Sequence, residues 1–229
     1  MQLILIGGAS GSGKTVFSEK LFALLKKNGL KVTRISMDNY FKERPDNLTM
    51  EEFTKSTNFD HPSALKLDAM LVDLLALAEG KSIQEPKFLF ETNKVTGYTE
   101  VAPADIVMVE GLHALKLIPK IADKKENIET FGIFIGSSSY YTPLQRRIER
   151  DLSGDRGHRT KNEMLKRERQ KVGPTFFSLI CSDRSYANIE LLNDGDGTEA
   201  LDRIVSEAYD LFVKELTDAQ NKQTQMFLS

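Results

Sequence analysis

Apolar residues recur along this chain with two spacings. Residues 2–7, QLILIG, form a short apolar run closed by glycine, as expected of a buried strand. Phe17, Leu21, Leu24 and Leu25 then repeat as one face of a helix, which Asn28 and Gly29 stop. Residues 31–38 predict a second strand through Val32, Ile35 and Met37. Leu67, Met70, Leu71, Leu74 and Ala78 give another helical face, ended by Gly80. Residues 86–101 are aromatic and β-branched around Gly97 and predict a β-hairpin. Residues 105–111, 129–136 and 187–192 predict three further strands, and Leu201, Ile204, Val205, Ala208, Leu211 and Phe212 a closing amphipathic helix. The polar stretch 39–62, with Pro45 and Pro62, is expected to be a long excursion holding short helical pieces. Residues 143–171 are charged and helical in propensity, and the polar tail from Ala219 is expected to fray. Strands alternating with helices predict an α/β fold, with a mainly parallel sheet.

Composition narrows the class. At 229 residues the chain suits one domain, here residues 1–218, followed by a tail over 219–229. It is 40% hydrophobic and 28% charged, as in soluble globular proteins. A net charge of -2 gives no bulk electrostatic reason for a nucleic-acid or membrane partner. The single cysteine, Cys181, excludes an internal disulfide and fits a reducing compartment. No apolar run is long enough to span a bilayer, and the N-terminal run lacks the basic flank of a signal peptide. A cytoplasmic location is the expectation. The oligomeric state is open, a homo-oligomer included.

The chemistry begins at residues 7–15, GGASGSGKT. Gly8, Gly13, Lys14 and Thr15 complete the pattern G-x-x-x-x-G-K-[ST], with Ala9, Ser10, Gly11 and Ser12 between them. Glycines let backbone N–H groups converge on phosphate oxygens, and the following helix adds its N-terminal partial positive charge. Lys14 can reach the β- and γ-phosphates, and the Thr15 hydroxyl can bind Mg²⁺. The motif falls between a predicted strand and a predicted helix, the context it requires. Glu110 ends the apolar run 106–109, where a carboxylate would meet a metal ion beside the loop. Asp38 ends the second predicted strand and would face the same edge. The residues alone leave it open between a base for an alcohol and an Asx-turn or helix cap. A guanine-reading N-K-x-D element is missing, since Val95 and Thr96 follow Asn93 and Lys94.

Several separated stretches then align with one family. GGASGSGKT, SMDNYFK, NFDHPSAL, PKFLFETNK, VMVEGLHAL, QRRIERD followed by RG, and VGPTFF occur in order between about residues 2 and 195. Together they resemble the uridine kinase and phosphoribulokinase family of P-loop kinases. The resemblance implies a doubly wound parallel sheet with a hairpin insert over 86–101 and a helical lid over 142–171. It implies an enzyme that moves the γ-phosphoryl of ATP to the 5′-hydroxyl of uridine or cytidine, with Mg²⁺. Asp38 becomes the catalytic base, beside Lys14. Phe41, Phe59, Asp60, His61 and Phe90 resemble residues lining the nucleoside site, and Arg147, Arg150 and Arg156 resemble arginines of the phosphate-facing lid. The sequence also departs from the family. Uridine–cytidine kinases carry an aspartate and a histidine in a hairpin pattern like Y-D-F-x-x-H, where this chain has Phe88, Leu89, Phe90 and Asn93. Asn93 is the polar group left to read a base edge. A sugar phosphate or another small alcohol is the alternative acceptor, and a P-loop switch without an acceptor is the alternative of another class.

Overall fold

Seven strands and eight α-helices are ordered along the chain in a computed structural model that describes residues 1–124, 127–153, 160–195 and 197–228, with side chains through residue 219 and at 221. The main sheet is built from β1 (Gln2–Gly8), β2 (Val32–Ser36), β5 (Ile106–Glu110), β6 (Glu129–Gly136) and β7 (Ile189–Leu192). Its order is β2-β5-β1-β6-β7, and every pairing is parallel. The N-terminal strand is therefore central: Leu3 lies opposite Val107 on one side and Thr130 on the other. Parallel strands need crossover connections, and these put helices on both faces of the sheet.

Alternate residues of β1 feed two core layers. Leu3 and Leu5 join Val107 and Val109 under α3 (Leu67–Ala78) and α4 (Leu117–Ala122). Ile4 and Ile6 join Met108, Ile133 and Ile135 under α1 (Lys14–Lys27) and the last helix. That last helix, α8, runs from Thr198 to Leu228. It passes through the tail expected to fray, because residues 213–228 contain neither glycine nor proline and hold several good helix formers, among them three Gln, two Lys and two Leu.

The excursion after β2 holds a 3-10 turn (Met37–Tyr40), α2 (Met50–Ser56) and a second 3-10 turn (Pro62–Ala64). Thr49 and Glu52 form a capping box that starts α2. The hairpin is longer than predicted at its first strand: β3 (Ile83–Leu89) pairs with β4 (Lys94–Val101). The register shifts between Pro86 and Phe88, since proline cannot donate to the ladder. Past β6 come α5 (Tyr141–Leu152) and α6 (Lys161–Arg167). A winding passage follows, with π turns at Glu168–Val172 and Phe176–Ile180 around the single α turn α7 (Gly173–Thr175).

Candidate active site

The loop after β1 turns sharply through two left-handed glycines, Gly11 and Gly13, both at φ 87°. A Cβ on Gly11 would lie 2.1 Å from the Pro143 carbonyl oxygen, and one on Gly13 would lie 2.4 Å from Asn193 Nδ2. Glycine is thus required by conformation and by space. Asn193, from the end of β7, also donates to the Ser12 carbonyl at 2.9 Å and so braces the loop from behind. Gly13 caps α1, whose first residues are Lys14 and Thr15. Lys14 Nζ donates to the Ala9 carbonyl at 3.2 Å, which arches the side chain over the loop. Ala9 and Ser12 are buried within the loop, whereas Ser10, Gly11 and Gly13 line the cavity beside it.

Glu110 stands at the C-terminal end of β5. Its Oε2 accepts from the Thr15 hydroxyl at 3.3 Å and its Oε1 from the Ser36 hydroxyl at 2.9 Å. One carboxylate thereby joins the ends of β5 and β2 to the start of α1. Asp38 lies two residues beyond β2, inside the Met37–Tyr40 turn rather than at the end of the strand.

A cavity of about 460 Å³ opens over these groups. Lys14, Thr15, Asp38 and Glu110 line it, together with Phe41, Phe59, Asp60, Phe90, Asn93, Arg147 and Arg150. Phe41 is the hub of its aromatic wall. Its ring lies 5.9 Å from Phe59, 5.6 Å from Phe90 and 5.8 Å from Phe88, the first two edge to face. Aromatic rings prefer this geometry to face-to-face stacking. Asn93 closes the hairpin loop in a left-handed conformation, φ 50°. Its amide donates to the Met50 sulfur at 2.9 Å.

Two residues read separately from the sequence are bound to each other. Arg147, on α5, makes a two-pronged pair with Asp60 at 2.9 and 3.0 Å. Burial pushes the Asp60 carboxyl up, but Arg147 opposes it and the result lies below the usual carboxylate value. Arg147 is held above its ordinary value by the same contact, against its own burial. Arg150 is stacked along Asp151, with Nε at 2.9 Å from the carboxylate, and reaches Ser10 Oγ at 3.4 Å. Arg156 lies outside the described residues.

His61 stands apart from the other residues read as lining the nucleoside site. It does not line the cavity. Its Nδ1 accepts from the Ser63 N–H at 3.1 Å and caps the Pro62–Ala64 turn, a local bond more accessible to the ring than a distant ligand. Among the described residues the fully buried histidine is His113, whose Nε2 lies 2.8 Å from the Asp60 carbonyl and whose Nδ1 lies 3.3 Å from Asp183. Arg146 and Arg167 also line the cavity, and neither stood out among the charges of residues 143–171. Arg167 is set over the Phe59 ring, 5.4 Å from its centre.

Residues 3–194 match the model of the phosphoribulokinase / uridine kinase family. The chain belongs to that family. It is an ATP-dependent kinase. The uridine kinase of Vibrio cholerae is 31% identical over 210 residues, which cover 88% of this kinase and 92% of that protein. The uridine kinase of Brevibacillus brevis is 30% identical over 201 residues, covering 87% and 88%. Among solved structures, a proposed fructose transport system kinase of Silicibacter sp. TM1040 superposes with a TM-score of 0.61 at 18% identity, over 83% of this kinase and 89% of that chain. The phosphoribulokinase of Rhodobacter spheroides superposes with a TM-score of 0.56 at 13% identity, over 81% and 68%. These likenesses establish the P-loop kinase fold. Among the described residues, no helix is long and apolar enough to cross a membrane.

Proposed function

We propose that this kinase transfers the γ-phosphoryl group of ATP to the 5′-hydroxyl of a pyrimidine ribonucleoside, uridine or cytidine. The observation that carries the reading is the shared cavity. One space is lined by Lys14 of the phosphate loop, by the Asp38 carboxylate and by the rings of Phe41, Phe59 and Phe90. A flat base suits that aromatic wall. Asp60, with one edge engaged by Arg147, keeps lone pairs that accept from ribose hydroxyls.

In this reading Asp38 takes the proton of the 5′-hydroxyl as its oxygen bonds to the γ-phosphorus. The γ-phosphoryl leaves the bridging oxygen of ADP. Phosphoryl transfer asks chiefly for positioning and charge neutralisation. Lys14 and the loop N–H groups hold the β- and γ-phosphates, and Arg150 adds charge from α5.

The residues present fit Mg²⁺. Thr15 and Glu110 offer only hard oxygen donors, and a 3.3 Å contact already brings them together. Among the described residues there is no cluster of three His, Cys, Asp or Glu able to hold a metal, so phosphate oxygens and water would complete the shell. When bound, Mg²⁺ supplies charge neutralisation on the phosphates.

A phosphorylated sugar is the second reading of the acceptor. Arg167 favours it by bringing a fixed cation to the cavity wall over Phe59. ADP release from ATP, measured against a panel of nucleosides, sugars and sugar phosphates, separates the two. Stimulation by uridine, at least as strong as by cytidine, is expected. Stimulation by a sugar phosphate with no response to either nucleoside would install the second reading, and slow hydrolysis indifferent to every acceptor would indicate a nucleotide switch.

A further inference from the structure

Behind the reacting groups, one buried carboxylate grips the turn that carries Asp38. Glu85 lies on β3 opposite Thr99 and is 9% exposed. Its Oε1 accepts from the Ser36 backbone N–H at 3.1 Å and from Asn39 Nδ2 at 2.9 Å. Ser36 ends β2 and Asn39 sits in the Met37–Tyr40 turn, so the two donors flank Asp38. Asn39 also reaches back to the hairpin, its Oδ1 accepting from the Phe88 N–H at 3.4 Å. These contacts bind the hairpin to both sides of the turn.

This arrangement is unfavourable as mere packing. Burial pushes the Glu85 carboxyl above its ordinary value, against the bonds from Asn39 and Ser36. An apolar side chain on the inner face of β3 would avoid that penalty. What an apolar residue lacks is an acceptor for two donors that sit three positions apart, on either side of Asp38.

We propose that Glu85 is a positioning residue for phosphoryl transfer. It fixes the turn that aims Asp38 and sets that turn in register with the hairpin bearing Phe90 and Asn93. The proposal rests on Asp38 being the proton acceptor. An acceptor seated against the hairpin then meets the base at a separation set by Glu85. A misplacement of about 1 Å costs on the order of 10²-fold in rate.

The test compares Glu85→Leu with Glu85→Gln, which keeps the Oε1 acceptor. Turnover is read with ATP and uridine, or with the acceptor that the panel returns. ATP affinity and amide hydrogen exchange over residues 36–41 are read alongside. Glu85→Leu is expected to lower kcat by on the order of tenfold or more, to leave the Kd for ATP within about twofold, and to speed exchange in the turn. Glu85→Gln is expected to restore both kcat and protection. Equal losses in the two variants, or a fall in ATP affinity matching the fall in kcat, would overturn the proposal. If Glu85→Leu fails to fold, Asn39→Ala removes one leg of the grip and should lower kcat in the same direction; unchanged turnover there also overturns it. Near-normal turnover in Asp38→Asn would instead remove the base assignment. Turn protection that depends on Glu85 would still be measured in that case, so the two failures are distinguishable.

Discussion

Lys14 and Asp38 line one cavity but meet different partners. In the proposed reading Lys14 meets phosphates that are present before and during transfer, so its loss should weaken ATP binding and turnover together. Asp38→Asn removes a proton acceptor and almost no volume. It should lower kcat by about 10²-fold or more and leave the Kd for ATP nearly unchanged, as measured by calorimetry beside steady-state ADP release. Wild-type turnover in Asp38→Asn would take the residue out of the base role. Lys14 stands out in the sequence because it ends a glycine loop, whereas Asp38 is singled out only by the family resemblance, since the residues alone leave it open between a base and a turn or cap. Asp60 and Arg147 are legible singly, while their pairing is not: it spans 87 positions and exists only once α5 has docked. His61 is absent from the cavity lining, and its ring takes a local bond from Ser63. Glu85, Arg167 and His113 carry no local signal, since each acquires its contacts from a distant element.

At the scale of elements, the π turn Glu168–Val172 joins α6 to the aromatic cluster at the start of α5. Glu168 accepts from the Tyr140 hydroxyl. Burial, with the Asp60 charge adding to it, pushes its carboxyl from 4.5 up to about 7. The folded protein therefore holds a proton that the unfolded chain has released. Between pH 4.5 and about 7 this group makes stability fall as pH rises, and above that the full penalty of the buried charge persists. Glu168→Gln keeps an oxygen for Tyr140 and removes the titration. Its Tm should exceed that of the parent at pH 8 by more than at pH 5, as followed by thermal unfolding. An equal difference at both pH values would show that Glu168 does not titrate there. The charged composition of residues 143–171 announced helix but not this geometry, because π turns are rare and carry no propensity signal of their own.

Across the whole molecule, the parallel sheet was readable because β1, β5 and β6 are short apolar runs bounded by glycine or acid, and parallel pairing requires such runs to be buried. Strand order was not readable, since no local residue states which run lies beside which. That order has a consequence for biosynthesis. β1 is the middle of the sheet, yet it precedes both neighbours by more than a hundred residues, pairing at Leu3 with Val107 and Thr130. While the chain is being made, this apolar strand waits for both of its neighbours. Loop closure over such distances is slow, and unpaired apolar strands invite association between chains. A nascent chain released after residue 124 contains β1, β2 and β5 but neither β6 nor β7, so one edge of β1 stays bare. Such a fragment should be sensitive to protease and prone to aggregate, whereas extension through residue 218, which adds β6, β7 and most of α8, should bring cooperative unfolding. Limited proteolysis of stalled chains of graded length would locate the step, and resistance already present at residue 124 would show that β1 settles without its second neighbour.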